Sequence, residues 1–163
     1  MKLKEVFAYP AGPAAVFDLI QDPAFRKKTA ESTGGRDVDV TVKPDGDDVT
    51  ITIVRSQEAA RIPDFIKSFV GETIRVKQVE RWGAPDADGN RTASVKLSVQ
   101  GQPAGMDARA SLTKDGRGSS FTMQGDVKVK VPFVGKKIEP FIAKVIEKSL
   151  RHDVDAGVKR LKK

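Results

Sequence analysis

The sequence predicts an α+β fold in which a curved antiparallel sheet of about seven strands wraps around one long C-terminal helix. Three observations support this prediction. Apolar residues alternate with polar ones through the middle of the chain, two short helical patterns follow the first strand, and one long helical pattern closes the sequence. Each strand has a single apolar face, so the sheet needs a cover, and only the last helix is long enough to provide it.

The N-terminal part is expected to contain one strand and two short helices. The strand covers Leu3 to Tyr9, and the helices run from Pro13 to Ile20 and from Pro23 to about Ser32. Proline suits the first turn of a helix, because the backbone N–H that it lacks would have no helical partner there. Gly34 and Gly35 end the second helix.

The central part is expected to contain about six strands, separated by turn-forming sequences such as Pro44-Asp-Gly-Asp-Asp48. Several of the positions that the alternation directs inward, toward the last helix, hold small residues. Two interpretations of these residues remain open. They interdigitate with large ones in a filled core, or they leave a gap that houses an apolar ligand. The small inward residues are Ala93, Gly101, Ala108, Ala110 and Gly125.

Polar residues also occupy inward positions. Gln78 and Glu80 share the inner face of one strand, and Asp153 lies on the apolar side of the last helix. An inward carboxylate is costly unless it is paired or hydrated. A partly hydrated cavity would tolerate these groups, and the competing interpretation is a salt bridge to an arginine such as Arg109 or Arg160.

The last helix has a basic face, and all the excess positive charge of the chain lies in this region. Of the net charge of +7, the residues from Lys128 onward contribute 11 basic minus 4 acidic groups, which is +7, and the preceding residues cancel. A solvated helix surface and attraction to an anionic membrane are both compatible with this face. Nucleic acid is not expected as a partner, since no aromatic residues interleave with the charges. The face comprises Lys137, Lys144, Lys148, Arg151, Asp155, Lys159 and Lys162.

Composition excludes several kinds of catalytic or metal site. The chain has no cysteine and one histidine, His152, so a thiolate nucleophile is excluded and a zinc site is not expected. Asp86-Ala-Asp-Gly-Asn90 begins like a calcium loop but lacks the later ligands, and is interpreted as a hairpin turn. No cofactor and no metal are expected. Without cysteine or a membrane-spanning apolar run, a cytoplasmic location is expected.

Two stretches resemble the START-like superfamily, also called SRPBCC, whose members have the helix-grip fold and include polyketide cyclases. They are Tyr9 to Phe17, after the first strand, and Gly125 to Glu139, before the last helix. Together with Phe65 to Gly71 and Trp82, they are similar to an uncharacterised actinobacterial family of that superfamily. The resemblance implies one domain over residues 1–163 with a cavity for a hydrophobic or amphipathic, lipid-like molecule, and it carries over no catalytic residues.

The expected function is binding of such a molecule between the sheet and the last helix, as a carrier or sensor. The polar end would be oriented by Gln78, Glu80 or Asp153. The alternatives are an enzyme of the cyclase or dehydratase kind that uses the same cavity, and a basic surface interaction module with a filled core. The residues expected to line the cavity are Val76, Gln78, Glu80, Trp82, Val95, Leu97, Ala108, Ala110, Met123, Gly125, Ile142, Val145, Ile146, Ser149 and Asp153.

The segment from Glu58 to Gly71 departs from the simplest members of the superfamily, because it lies between two strands and has a helical pattern. One interpretation is a satellite helix packed on the core. The other is a lid over the cavity mouth, which would offer aromatic side chains to a ligand or a membrane. The lid residues would be Ile62, Phe65, Ile66 and Phe69.

Overall fold

The computed structural model of the chain describes residues 1–58, 63–71 and 73–163. Within these ranges, seven strands form one curved antiparallel sheet and one long helix follows the last strand, which confirms the predicted fold class. The elements are β1 (Lys2–Tyr9), α1 (Pro13–Ile20), α2 (Pro23–Ser32), β2 (Arg36–Asp45), β3 (Asp48–Glu58), α3 (Asp64–Val70), β4 (Thr73–Trp82), β5 (Arg91–Val99), β6 (Ala104–Asp115), β7 (Gly118–Val129) and α4 (Gly135–Leu161).

The strand order is β1-β7-β6-β5-β4-β3-β2, so the first strand pairs with the last, and each of the others pairs with its neighbours in sequence. The register defines two ends of the sheet. At one end, Trp82 pairs with Val49 and with Ala93, and we call this the Trp82 end. At the other, Val99 pairs with Val76, and we call this the Val99 end. The α1–α2 pair follows β1 at the Trp82 end, and α3 connects β3 to β4 at the Val99 end.

Helix α4 begins at the Val99 end, packs mainly on β7 and β1, and extends about 40 Å to the Trp82 end. Near its end, Gly157 is so close to β1 that a Cβ there would lie 3.0 Å from Cε1 of Tyr9. The inward position predicted for Val145 is wrong, because its side chain is 46% exposed. Val145 lies about 100° around the helix from the buried Ile146, outside the stripe that contacts the sheet.

Helix α3 is shorter than the sequence pattern indicated. The expected helical start at Glu58 is wrong, because Glu58 is the last residue of β3 and pairs with Thr73. The helix itself covers Asp64–Val70, with Pro63 as its N-cap. Ile66 is buried against Val129 and Ile138. The predicted lid residue Ile62 lies outside the described residues, as does the side chain of Phe69.

Helices α1 and α2 close the Trp82 end through aromatic and capping interactions. The ring of Phe17 packs edge-to-face on Trp82 at 5.4 Å between centroids, and the Arg91 guanidinium lies 3.9 Å above the Phe17 ring. Helix α2 begins at Asp22, whose Oδ1 accepts hydrogen bonds from the backbone N–H groups of Ala24 and Phe25.

A buried ion pair joins α2 to the inner face of the sheet. Arg26 donates from both terminal nitrogens to the carboxylate of Glu80, with Nη1 to Oε1 at 3.2 Å, and it also donates to the carbonyl of Ile20. Gln78 donates to Oε2 at 2.6 Å and the Trp82 indole donates to Oε1 at 2.9 Å. The Glu80 carboxylate therefore accepts four hydrogen bonds inside the protein.

Arg26, the partner of Glu80, is not one of the arginines that the sequence analysis considered for this role. Arg109 and Arg160 are both exposed, and Arg109 lies on a strand position that alternates away from the inner face. Burial alone would raise the pKa of Glu80, but the charge and hydrogen bonds of Arg26, with those of Trp82 and Gln78, hold the pKa below its usual range. Glu80 is therefore ionised and fully paired.

We expect Glu80→Gln to lower the free energy of unfolding by about 3–5 kcal/mol, because it leaves the Arg26 guanidinium buried without its counter-charge. Arg26→Met should have a similar effect, and the double variant should cost less than the sum of the two, since the groups act as a pair. Urea denaturation measures all three. Glu31→Gln, an exposed position on α2, is the matched control and should stay within about 0.5 kcal/mol of the parent.

The loss of stability caused by Glu80→Gln should depend on pH. The folded-state pKa of Glu80 is depressed below 4.5, so its contribution is complete above that pH and is lost as the pH falls through the folded-state pKa. The difference between Glu80→Gln and the parent should shrink on acidification. A difference that is small at neutral pH, or that grows below pH 4.5, would contradict the pairing.

Candidate functional site

The inner face of the sheet, which carries Glu80 and Trp82 and on which α4 packs, is closed at one end and open at the other. On β4, Trp82 and Glu80 are buried, whereas Gln78, Val76 and Ile74 are only partly buried. The transition from buried to partly exposed side chains therefore occurs between Glu80 and Gln78, and solvent reaches the inner face toward the Val99 end. The same gradient occurs on β5, from the buried Ala93 and Val95 to the partly exposed Leu97 and Val99.

An apolar cavity of about 70 Å³ lies at the Val99 end, between α3, the sheet and the first turns of α4. Ile66 of α3 is one of the residues that line this cavity, so α3 borders it, and the lid role stays a prediction. Of the residues predicted for the cavity, Ile142 is among its lining residues. The cavity is lined by Ile66, Ile74, Val99, Gln102, Pro103, Ala104, Val129, Val131, Ile138, Phe141 and Ile142.

Apart from the exposed Val145, the other predicted cavity residues fall into two groups. Part of the set belongs to the packed core, and there small size reflects close strands: a Cβ on Gly125 would lie 2.5 Å from Cβ of Ala108. A second group remains partly exposed, and its role in ligand binding stays a prediction. The buried group is Glu80, Trp82, Val95, Ala108, Ala110, Met123 and Ile146, and the partly exposed group is Val76, Gln78, Leu97, Gly125, Ser149 and Asp153.

A second cluster of polar groups lies beside the Arg26–Glu80 pair and was incompletely predicted from the sequence. Arg55 occupies an inward position of β3, two residues after the buried Ile53, and its Nε is buried. Within the described residues, this Nε has no hydrogen-bond partner. Buried donors are nearly always paired in native proteins, so the unpaired Nε is an unusual feature of the interior.

The charged groups of this cluster are not all paired. Burial raises the pKa of Asp153, and the charges of Arg26 and Arg55 offset this only in part. Burial likewise lowers the pKa of Arg55. In the part of the chain that the structure describes, Asp153 and Arg55 form no ion pair within 4 Å. Glu80 is saturated by hydrogen bonds, and burial disfavours the charged form of Asp153, so an additional acceptor beside the unpaired Nε of Arg55 is favourable.

Two further residues complete the surroundings of the cluster. Burial raises the pKa of the Tyr9 phenol, so this group is a neutral hydrogen-bonding side chain near Arg26 and Asp153. His152 is partly buried, with Nε2 lying 2.7 Å from the Ser32 hydroxyl, which joins α4 to α2. No group of three or more described His, Cys, Asp or Glu residues is arranged to hold a metal ion.

Arg55 could have been found from the sequence, because it continues the inward alternation of Ile51 and Ile53. Arg26 could not, because no periodic pattern in α2 indicates which of its basic residues faces the sheet.

No helix within the described ranges combines the length and the apolar character that crossing a bilayer requires.

The fold is shared with solved structures of low sequence identity. Human STARD10 superposes with a TM-score of 0.65 at 10% identity, covering 99% of this chain and 64% of that one. The protein TTHA0849 of Thermus thermophilus gives a TM-score of 0.63 at 13% identity, covering 98% and 96%. The Zhui aromatase/cyclase of a Streptomyces species gives 0.60 at 11%, covering 99% and 93%. These neighbours support the START-like helix-grip fold that the sequence resembles.

Sequence relatives are themselves uncharacterised. Proteins of Mycobacterium tuberculosis and Mycobacterium bovis are 32% identical to this chain over 101 residues, which is 60% of this chain and 58% of each relative. The family described as "Protein of unknown function (DUF2505)" matches residues 5–161. Since that match covers nearly the whole chain, the protein belongs to the DUF2505 family.

Proposed function

We propose that this protein binds an amphipathic small molecule between the sheet and α4, as a carrier or sensor. The apolar part of the molecule lies at the Val99 end, and a head group that is acidic or accepts hydrogen bonds faces Arg55. The single observation that carries the proposal is the buried Nε of Arg55, which lacks a partner within the described residues. An unsatisfied buried donor costs about 1–3 kcal/mol, and a ligand oxygen would remove that cost.

Charge supports an acceptor or anion as the head group. Both terminal nitrogens of Arg26 donate hydrogen bonds to Glu80 in a bidentate ion pair, whereas Arg55 forms no such ion pair with Asp153. A carboxylate entering beside Arg55 would meet a guanidinium that forms no ion pair within 4 Å in the described residues, and the amide of Gln78, which is partly exposed on the same inner face. Arginine suits this role because its planar donors match the geometry of a carboxylate.

The apolar part has a smaller preformed space than most ligand sites. Typical small-molecule pockets measure about 300–1,000 Å³, and the cavity at the Val99 end measures about 70 Å³. Binding therefore requires widening at this end, where the neighbouring inner residues are partly exposed. Helix α3 is the short element in position to move, and its contact to the core described by the structure is made by Ile66. A lid role for Phe65, Ile66 and Phe69 remains part of the proposal.

Acid–base chemistry of the cyclase or dehydratase kind would have to depend on Asp153 rather than Glu80. Glu80 already accepts four hydrogen bonds and its pKa is depressed, so it neither donates a proton nor accepts one readily near neutral pH. Its role is to position Arg26 and Trp82. Ligand binding needs only the groups that the structure leaves unpaired, and for that reason we favour it.

We expect Asp153→Asn to stabilise the protein at neutral pH. The folded-state pKa of Asp153 lies above 3.8, so ionisation is less favourable in the folded protein than in the unfolded chain, and the resulting penalty is present above the folded-state pKa. The gain should disappear well below pH 3.8, where the carboxyl is protonated in both states. Thermal unfolding across this pH range measures it, with Asp155→Asn on the exposed face of α4 as the control.

A loss of stability for Asp153→Asn at neutral pH would show that Asp153 neutralises Arg55. The reason for a ligand head group at Arg55 would then be removed. Equal effects of Asp153→Asn and Asp155→Asn would also contradict the distinct environment assigned to Asp153.

We expect a fluorescent long-chain carboxylic acid to bind the protein more tightly than the matching long-chain alcohol. Arg55→Met should weaken binding of the acid about tenfold or more and should leave the alcohol nearly unchanged, because only the acid pairs with the guanidinium. Arg81→Met is the matched control, since Arg81 is exposed on the outer side of β4. Equal affinities for the acid and the alcohol, or equal effects of the two arginine variants, would contradict the proposed head-group site.

A further inference from the structure

We propose that the turn between β7 and α4 is a docking surface for a lipid bilayer that contains anionic lipids. The surface consists of residues 128–137 together with Phe65, and we call it the Phe133 tip. It lies at the Val99 end, because Val129 and Val131 of this region, and the adjacent Ile138, line the apolar cavity there. Membrane contact does not follow from ligand binding, and neither process requires the other.

Phe133 is displayed to solvent by a well-defined turn. Its side chain is 98% exposed, although phenylalanine is among the residues that most favour burial. The turn is held by hydrogen bonds from the N–H of Val134 to the carbonyl of Pro132 and from the N–H of Gly135 to the carbonyl of Val131, both at 2.9 Å. The exposure of Phe133 therefore comes from the turn geometry.

The backbone at Phe133 is also strained. Its φ is +68°, in the left-handed region that residues with a side chain seldom adopt. Strain of this kind costs about 1–3 kcal/mol and is usually associated with a functional position. Glycine would relieve the strain. Phenylalanine at this position therefore has two unfavourable features, the strained backbone and the exposed apolar ring, and a role in binding would explain both.

Basic residues flank Phe133 on both sides in the sequence. Lys128, Lys130, Lys136 and Lys137 are all exposed, and no acidic residue occurs between positions 127 and 138. The nearest acidic residue on the helical side, Glu139, accepts a hydrogen bond from the backbone N–H of Val129 at 3.0 Å. The tip thus begins the part of the chain that holds its entire excess charge of +7.

A second aromatic side chain projects at the same end. Phe65 of α3 is 48% exposed, and the adjacent Ile66 packs on Val129 and Ile138, directly beneath the tip. Two exposed phenylalanines within a basic surface match a bilayer interface, where the rings enter the headgroup region and the lysines face anionic lipids. Each lysine near such a surface contributes about 1 kcal/mol. Docking in this orientation would place the apolar cavity next to the hydrocarbon region.

The test uses vesicles of phosphatidylcholine with and without a minor fraction of phosphatidylserine, sedimented with the purified protein. We expect binding only to the anionic vesicles, and a steep loss of binding as salt is raised. Phe133→Gly should reduce the partition coefficient about tenfold or more, because burying a phenylalanine ring contributes strongly to interfacial binding. Since glycine relieves the positive φ, this variant should be at least as stable as the parent, so misfolding cannot mimic the result.

Two control variants separate the tip from general hydrophobicity and charge. Val6→Ser removes a 58% exposed apolar side chain on β1 and should leave vesicle binding unchanged. Lys136→Glu with Lys137→Glu should reduce binding about tenfold or more, whereas Lys77→Glu with Lys96→Glu, on exposed strand positions, should have a much smaller effect.

The proposal is overturned if neutral and anionic vesicles bind equally, or if Phe133→Gly and Val6→Ser behave alike. Binding to a DNA or RNA duplex that depends on the same lysines but not on Phe133 would assign the surface to nucleic acid instead. Uptake of the fluorescent acid without vesicles should be normal in Phe133→Gly, so failure of membrane docking is distinguishable from failure of ligand binding.

Discussion

The buried carboxylate of Glu80 is the constraint on which the rest of the structure depends. A carboxylate in this position must be fully hydrogen-bonded, because the cost of an unpaired buried charge exceeds the whole stability margin of many domains. Arg26, Gln78 and Trp82 supply four donors, and the pairing places α2 against β4. The Trp82 indole, fixed by Glu80, packs in turn against Phe17 of α1. One anion therefore determines how both short helices close their end of the sheet.

Because the interior is closed at the Trp82 end, its polar and apolar groups are found in different places. The side chains of Glu80, Arg55 and Asp153 form one polar cluster, in which Glu80 is saturated and the other two are not, and apolar groups line the separate cavity at the Val99 end. An amphipathic molecule would place its head beside this polar cluster and its apolar part in the cavity. The elements at the open end, α3 and the turn that carries Phe133, are also the ones that expose aromatic side chains. Access to the interior and contact with a membrane would then occur at the same place.

The sequence was sufficient for features that depend on local periodicity. Alternation and turn residues predicted the strands, and proline and glycine placed the limits of α1 and α2 correctly. It was insufficient where tertiary packing decides. The partner of Glu80 is on α2, and nothing in the spacing of that helix indicates that Arg26 faces the sheet. Val145 appeared inward on a helical projection, but α4 contacts the sheet through a narrower stripe. The small residues Ala108 and Gly125 left a filled core and a gap equally open, and the close approach of their strands favours the filled core at this point.

Native mass spectrometry of freshly purified protein, followed by extraction of any bound molecule, tests the central claim most directly. The account predicts an added mass that disappears on denaturation and belongs to a molecule with a long apolar part and an acidic or hydrogen-bond-accepting head. That added mass should be lost in Arg55→Met and retained in Arg81→Met. A bare protein mass, together with failure to take up long-chain acids or other apolar probes, would contradict the account and would assign the function to the surface of a filled core.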